Sequence, residues 1–368
     1  MEVVISLKQM LDEYFTINTA RIMLISQMVI ALIKVRTVCL SEVALGFAGN
    51  AMPSSNEKRI YRFLREFPFD LDAVALFVGS KLPKGKWLMT LDRTNWEFGR
   101  MHINILMLAV VYKGVAVPLI WKILGKKDFP DLGKKGNSNT EERKELIRRF
   151  IRLFGAERAE ALIADREFIG NDWFRWLKSR NIRMIIRLRE NQKVMSSRGI
   201  PTRVSFLFRN LKIGESRILR GLRKVGDSEL FVCGTKLPGG ILLIIATSDS
   251  PEGALEDYAR RWQIETMFAC LKTRGFGFES THLRKLGRIG KLLGIVVIAF
   301  VWAYLIGDSL CEKKPLPIRN HGYRVKSIFR HGLDYLRHIF INMIDHAEKL
   351  SDVSRFLSPE HFLGSPDP

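Results

Sequence analysis

Apolar and polar positions change period several times along the chain, and each change predicts a different element. Residues 1–80 read as helices. TARIMLISQMVIALIKV (19–35) is amphipathic to fully apolar, and CLSEVALGF and SSNEKRIYRFLREF each open on a capping residue, Ser55 in the second case. That last segment turns Lys58, Arg59, Arg62 and Arg65 to one face. The period then shortens. KGKWLMTLD (84–92) predicts a strand running into Asp92, and HINILMLAVVYKG with VAVPLIWKIL predicts a hairpin turning at Lys113–Gly114. GNSNTEERKELIRRFIRLFG is a loop and a helix, with Asn139 and Glu142 spaced as a capping box. AEALIAD is a short strand ending at Asp165, NDWFRWLKSRN a helix and IRMIIRLR a strand. From about 190 to 250 short alternating strands and glycine turns predict a β-rich insertion.

After Pro251 the helical period returns in YARRWQIETMFACLK. A helix turns about 100° per residue, so Tyr258, Arg261, Glu265 and Lys272 fall within an arc of roughly 60°. Ile264, Met267 and Leu271 fall on roughly the opposite side, the natural core face. Trp262 reads as a core residue. LLGIVVIAFVWAYLIG (292–307) is shorter than the roughly 20 residues a membrane span needs and predicts a buried core helix. The tail LSPEHFLGSPDP reads as loose.

Charge changes the picture. The 368 residues carry a formal net charge of +21, which points to a polyanion, nucleic acid being the commonest large one. Residues 1–80 hold eight basic and eight acidic side chains, so the excess lies elsewhere. Residues 173–230 hold fifteen basic against four acidic, and 274–338 hold twelve against four. These two blocks flank the polar stripe. Cys39, Cys233, Cys270 and Cys311 are scattered, with no zinc spacing, as expected of reduced thiols in a cytoplasmic protein. The N-terminus carries early acids and no signal-peptide layout.

Asp92 and Asp165 each close a predicted strand, and Glu265 lies on the later helix. An aspartate at a strand end is usually a turn or cap residue. Taken together, the three match carboxylates brought to one edge of a ribonuclease-H-like sheet. Three such acids can hold two divalent metals for in-line attack at phosphorus. Oxygen ligands favour Mg²⁺ or Mn²⁺, in keeping with the lack of a Cys/His cluster.

These residues resemble a DDE transposase of the insertion-sequence-four family. Tyr258, Arg261, Glu265 and Lys272 stand at the spacing Y-x-x-R-x-x-x-E-x-x-x-x-x-x-K, within RWQIE. LDRTNW around Asp92 and ADREF around Asp165 resemble the first and second acid motifs. GNSNT and HGYRVKSIFRHGLDYLR resemble further family segments. The likeness spans nearly the whole chain and is weakest over the first 50 residues.

The resemblance implies a cut-and-paste enzyme with Asp92, Asp165 and Glu265 as catalytic metal ligands, using two Mg²⁺ (or Mn²⁺) ions. Tyr258, Arg261 and Lys272 would contact DNA near the scissile phosphate, and Arg166, like Arg93, stands beside an acid and within reach of phosphate. Lys326 and Arg330 are weaker DNA-binding candidates. The partners would be double-stranded DNA, at transposon ends and target, and a second copy in a homodimer on DNA. The protein would be bacterial and associated with the nucleoid when active. Hairpin-forming relatives stack a flipped base on a Trp of the insertion. This chain has none between Trp176 and Trp262, so the hairpin step stays open, with Phe231 as a substitute ring.

The expected fold class is α/β: a ribonuclease-H-like catalytic core with a β-rich insertion and an N-terminal helical domain. Residues 1–80 would form that DNA-binding helical domain, or else a dimerisation or packing unit. Residues 81–189 and 251–310 would form the core, 190–250 the basic insertion and 311–368 a helical C-terminal region. Two alternatives remain: a ribonuclease-H-like nuclease without strand transfer, and a non-catalytic DNA-binding relic.

Overall fold

The computed structural model describes residues 2–126, 132–320, 324–342, 347–358 and 360–364. His321, Gly322 and Tyr323 of the late motif, and residues 359 and 365–368 of the tail, lie outside the described residues.

Five helices come first: α1 (Glu2–Asp12), α2 (Thr19–Val35), α3 (Leu40–Leu45), α4 (Pro53–Glu66) and α5 (Leu71–Ser80). Asn18 caps α2 by accepting the Arg21 N–H. Helix α4 starts three residues earlier than Ser55 as a cap suggests, because Pro53 fits the first helical position with its missing N–H and fixed φ. A hairpin of long strands follows, β1 (Trp87–Phe98), β2 (Met101–Tyr112) and β3 (Val115–Ile123). Lys113 and Gly114 both take positive φ at the β2–β3 turn, as a tight hairpin requires. Strand β1 continues six residues past Asp92, since Arg93–Phe98 keep pairing with β2 up to Phe98 opposite Met101. Asp92 therefore stands mid-strand, not at a strand end.

Next come α6 (Thr140–Phe154), β4 (Ala159–Ala164), α7 (Asn171–Ser179) and β5 (Met184–Arg187). The Asn139–Glu142 capping box forms in both directions. The 190–250 stretch holds β6 (Lys193–Met195), β7 (Pro201–Arg203), α8 (Val204–Phe208), β8 (Ser216–Ile218), β9 (Arg223–Val225), β10 (Ser228–Lys236) and β11 (Leu242–Thr247). VSFLF, read as strand, is a helical turn that buries Val204 and Phe208 one turn apart.

The eleven strands form one sheet, ordered β3-β2-β1-β4-β5-β11-β10-β9-β6-β7, with β8 also paired to β10. Strands β1, β4 and β5 are parallel, β2 runs antiparallel to β1, and β11 joins β5 antiparallel. This is a mixed α/β fold built on a large sheet with helices packed on it.

The chain then runs through α9 (Ala254–Ala259), a 3-10 turn (Arg260–Trp262) and α10 (Gln263–Leu271). The single helix expected over the polar stripe is thus interrupted. Lys272 sits just beyond α10 with non-helical dihedrals. Helices α11 (Leu286–Lys313), α12 (Ile328–Ile341) and α13 (Ala347–Arg355) complete the described chain. Helix α11 is longer than the apolar run because Leu286 and Ile289 extend its buried face backward. By length and composition it could cross a membrane, yet 94% of its most apolar window is buried in the protein. It packs against α2, α5, α12 and β3 as a core helix.

The tail is anchored where it is described. Lys81 is fully buried and its ammonium donates to the carbonyl oxygens of Leu357, Ser358 and His361, at 3.0 Å for Leu357. Leu357 and Leu363 are buried. A buried ammonium needs acceptors, and the tail's backbone supplies them.

Candidate active site

Side chains alternate faces along a strand, and this places the first two acids. Leu88, Thr90 and Asp92 share one face of β1, as do Ala161 and Ile163 of β4, with Asp165 next in step. Leu91 pairs with Ala164 in the parallel β1–β4 ladder, so Asp92, mid-strand in β1, and Asp165, just past the end of β4, come side by side. Leu88, Ala161, Ile163, Ile185 and Ile245 form a small apolar cluster on this face, closed by Ala254 and Tyr258 from α9.

That packing aims Tyr258. It is 5% exposed, and its hydroxyl lies 3.4 Å from Asp165 Oδ1. Burial, chiefly, raises its pKa well above the ordinary value, so it remains a hydroxyl donor to the carboxylate. Three residues later Arg261 reaches two acids at once. Nη1 donates to Asp92 Oδ2 at 2.8 Å and Nη2 to Glu265 Oε1 at 2.7 Å. Glu265, one turn further on, is brought in by α10 packing against β1, β2 and β3.

Burial pushes the Asp92 carboxyl up to about 6, against the pull of Arg261 and of the Arg93 N–H that donates to Oδ1 at 2.7 Å. The charges of Glu167 and Asp165 push it the same way as burial. Burial opposes the Arg261 charge too, but Tyr258, Asp92 and Glu265 outweigh it and hold its pKa above the ordinary value. The site is therefore short of positive charge even with the guanidinium in place.

Among the described residues, no three His, Cys, Asp or Glu side chains are gathered closely enough to hold a metal ion. The geometry gives the reason: the Arg261 guanidinium occupies the space between Asp92 and Glu265. The donor chemistry nonetheless fits a hard divalent cation, since every donor is a carboxylate and burial holds Asp92 above its ordinary pKa even beside Arg261.

The remaining expected residues divide. Lys272 is engaged further along β1 than Asp92: it contacts Glu279 at 2.5 Å and the Asn95 carbonyl at 3.3 Å, above the Trp96 ring. Arg166 is exposed beside Asp165. Arg93 faces away from Asp92 and grips Glu167 with two bonds of 2.7 Å. It also donates to the Gly136 carbonyl and to Asn137, each at 2.8 Å, and to Asn104 at 3.2 Å. Arg93 neutralises Glu167 and is spent on fixing the GNSN loop. Arg143 completes that clamp through Ser138 and the Glu167 carbonyl. Arg330 lies in the first turn of α12 and Lys326 just before its cap Ser327, both paired with Asp334.

Sequence reasoning missed Glu167, Asn104 and Arg143, whose only signal was proximity to the acid motifs. It also misjudged Trp262, which is 65% exposed. On a uniform helix Trp262 falls roughly 170° away from the stripe of Ile264, Met267 and Leu271, so the helical period itself places it outward, and its aromatic character misled the reading.

Residues 133–302 match the family described as "Transposase DDE domain", a span that includes Asp165 and Glu265 and begins after Asp92. The match supports a transposase and, more narrowly, a DDE transposase family for this chain. No curated protein matches the chain. Among solved structures it is similar to a piggyBac transposase synaptic complex with hairpin DNA, determined by cryo-EM. That similarity is 15% identity with a TM-score of 0.44, covering 100% of this chain and 85% of that one.

Proposed function

We propose that this chain is a cut-and-paste DDE transposase that cleaves DNA at transposon ends and joins the freed 3′-hydroxyl to target DNA, with Asp92, Asp165 and Glu265 as its catalytic acids. The observation that carries the reading is the convergence of Asp92 and Glu265 on one guanidinium, with Asp165 adjacent to Asp92 in the ladder. The strand order β3-β2-β1-β4-β5, with only β2 reversed among the central strands, supports a ribonuclease-H-like core for residues 81–189 and 251–310.

Asp92, Asp165 and Glu265 would hold two Mg²⁺ or Mn²⁺ ions. When bound, these supply activation of the attacking oxygen and charge neutralisation at the leaving one. Arg261 exchanges its carboxylate partners for a backbone phosphate. Lys272 leaves Glu279 for a phosphate on the same side. Tyr258 orients Asp165 from its buried hydroxyl. Arg166 meets the backbone from the rim. The exposed Trp262 ring borders the same site and offers a flat face to DNA. The basic strands at 190–250 and the helices at 1–80 extend the DNA surface, and the described helices α12 and α13 form the helical C-terminal region. Two ends cut together imply a homodimer on DNA.

The test uses a supercoiled donor plasmid carrying the element and a separate target plasmid, with Mg²⁺. Joined donor–target product, lost in Asp165→Ala, supports the transposase. Cutting without any joined product favours the plain nuclease.

A further inference from the structure

Away from the carboxylates, a cavity of about 1010 Å³ opens between the β2–β3 turn, the residues after α10 and the start of α12. Five of its lining side chains are basic: Lys113, Arg274, Arg324, Lys326 and Arg330, and none is acidic. The acids behind them are fewer. Asp308 and Glu312 each meet Lys113 at 2.9 Å, and Asp334 meets Arg330 at 2.7 Å and Lys326 at 3.5 Å. Arg274 and Arg324 are exposed and have no ion pair among the described residues.

Two further features point the same way. The fourteen-residue helix α12 begins at the cavity, Ser327 serving as its cap, so its positive end faces the basic cluster. Like charges are also crowded against the floor. The Arg274 carbonyl accepts from both Arg36 and Arg330, at 3.4 and 3.3 Å. Burial, then the nearby charges of Arg330 and Arg337, pull Arg36 below its ordinary pKa. An anion in the cavity relieves this repulsion.

We infer that this cavity is a second DNA site that seats the sugar–phosphate backbone of duplex flanking the cut, an inference that rests on the transposase reading. Its lining holds Val115, Val325 and Ile328 but no aromatic ring, so a nucleobase has nothing to stack on, whereas phosphates meet a cation on each side. Thr273 and Arg274 follow Lys272 directly, so one strand of chain links the cavity to the carboxylate site. A backbone held here fixes the register of the duplex entering that site.

The experiment measures affinity for labelled terminal-repeat duplex across a salt series in EDTA, so that binding is read without cleavage. Wild type is compared with Arg274→Ala/Arg324→Ala and with Lys84→Ala/Lys86→Ala, which removes equal charge beyond the start of β1, far from Asp92. Each lost phosphate contact lowers the log–log salt slope by about 0.9, so the cavity variant loses about 1.8 and binds at least about tenfold more weakly near 0.1 M salt. The Lys84/Lys86 variant keeps the wild-type slope, and Arg274→Lys/Arg324→Lys restores most of it. Unchanged thermal melting shows that the exposed cavity variant is folded. Wild-type binding with the same slope in the cavity variant overturns the inference and leaves the transposase reading standing. Protection of the cavity by inorganic tripolyphosphate with an unaltered DNA slope makes it a free-polyphosphate site and also overturns it. No duplex binding by wild type removes the transposase reading and the inference together.

Discussion

Replacing Asp92 by Asn is expected to stabilise the metal-free protein while destroying its chemistry. Burial raises the Asp92 carboxyl from an ordinary 3.8 to about 6, even with Arg261 against it. A carboxyl whose folded pKa is raised gives stability that is fully present below the unfolded value and lost as pH rises through the folded one. At about 1.4 kcal/mol per pH unit, that interval corresponds to about 3 kcal/mol of instability at about pH 7.5. Asn removes the charge, and its one oxygen keeps the Arg93 N–H bond. Its NH2 replaces the oxygen that Arg261 met, leaving Arg261 on Glu265, so about 3 kcal/mol is the ceiling of the gain. With about 2.1 cal/mol/K of unfolding entropy per residue over 368 residues, the gain corresponds to a melting temperature up to about 4 °C higher. The assay is thermal melting of both proteins in EDTA across the pH range. The gap should be full above about pH 6 and close progressively toward the unfolded value of 3.8. A variant that melts below wild type at neutral pH, or a gap that ignores pH, would refute the reasoning.

Arg93→Met strips Glu167 of its two short bonds and frees the GNSN loop. Urea unfolding should show a loss of about 3 kcal/mol, far more than Glu265→Gln, and an equal loss in both would contradict the clamp. Lys81→Met leaves three tail carbonyls without their donor, so limited proteolysis should cut within 347–364 sooner than in wild type. An unchanged cutting rate there would show that the tail does not depend on Lys81. Lys272→Ala should lower the salt slope of duplex binding by about 0.9 without unfolding the protein, and a wild-type slope would mean that Lys272 never leaves Glu279.

The elements that the sequence revealed are those governed by local rules. The Lys113–Gly114 hairpin shows as two apolar runs around a positive-φ turn, and the Asn139–Glu142 box as a three-residue spacing. The DDE match over residues 133–302 agrees with the coarser part of the reading drawn from the acid motifs and the polar stripe, a DDE transposase. What stayed hidden depends on contacts between distant segments. The polar stretch RTNWEF looks like a loop until β2 pairs with it. The break at Arg260–Trp262 changes a helix's period over one turn, too briefly to show in the pattern. Glu167 acquires its partner from 74 residues away, and the tail looks loose unless Lys81 is known to lie beneath it. In the same way, five basic residues of the cavity come from three separate stretches, and each alone reads as an ordinary solvated charge.

The central claim is that Glu265, delivered by α10 one turn beyond Arg261 of the 3-10 turn, takes part in metal-dependent cleavage beside Asp92 and Asp165. The most direct measurement is cleavage of a labelled duplex carrying the element's own terminal repeat, by wild type and by Glu265→Gln, with and without Mg²⁺. The account predicts nicking at the repeat boundary by wild type in Mg²⁺ alone, with the variant binding the same duplex and leaving it whole. Equal nicking by the variant would remove Glu265 from the chemistry, and tight binding with no cutting by either protein would make this a DNA-binding relic.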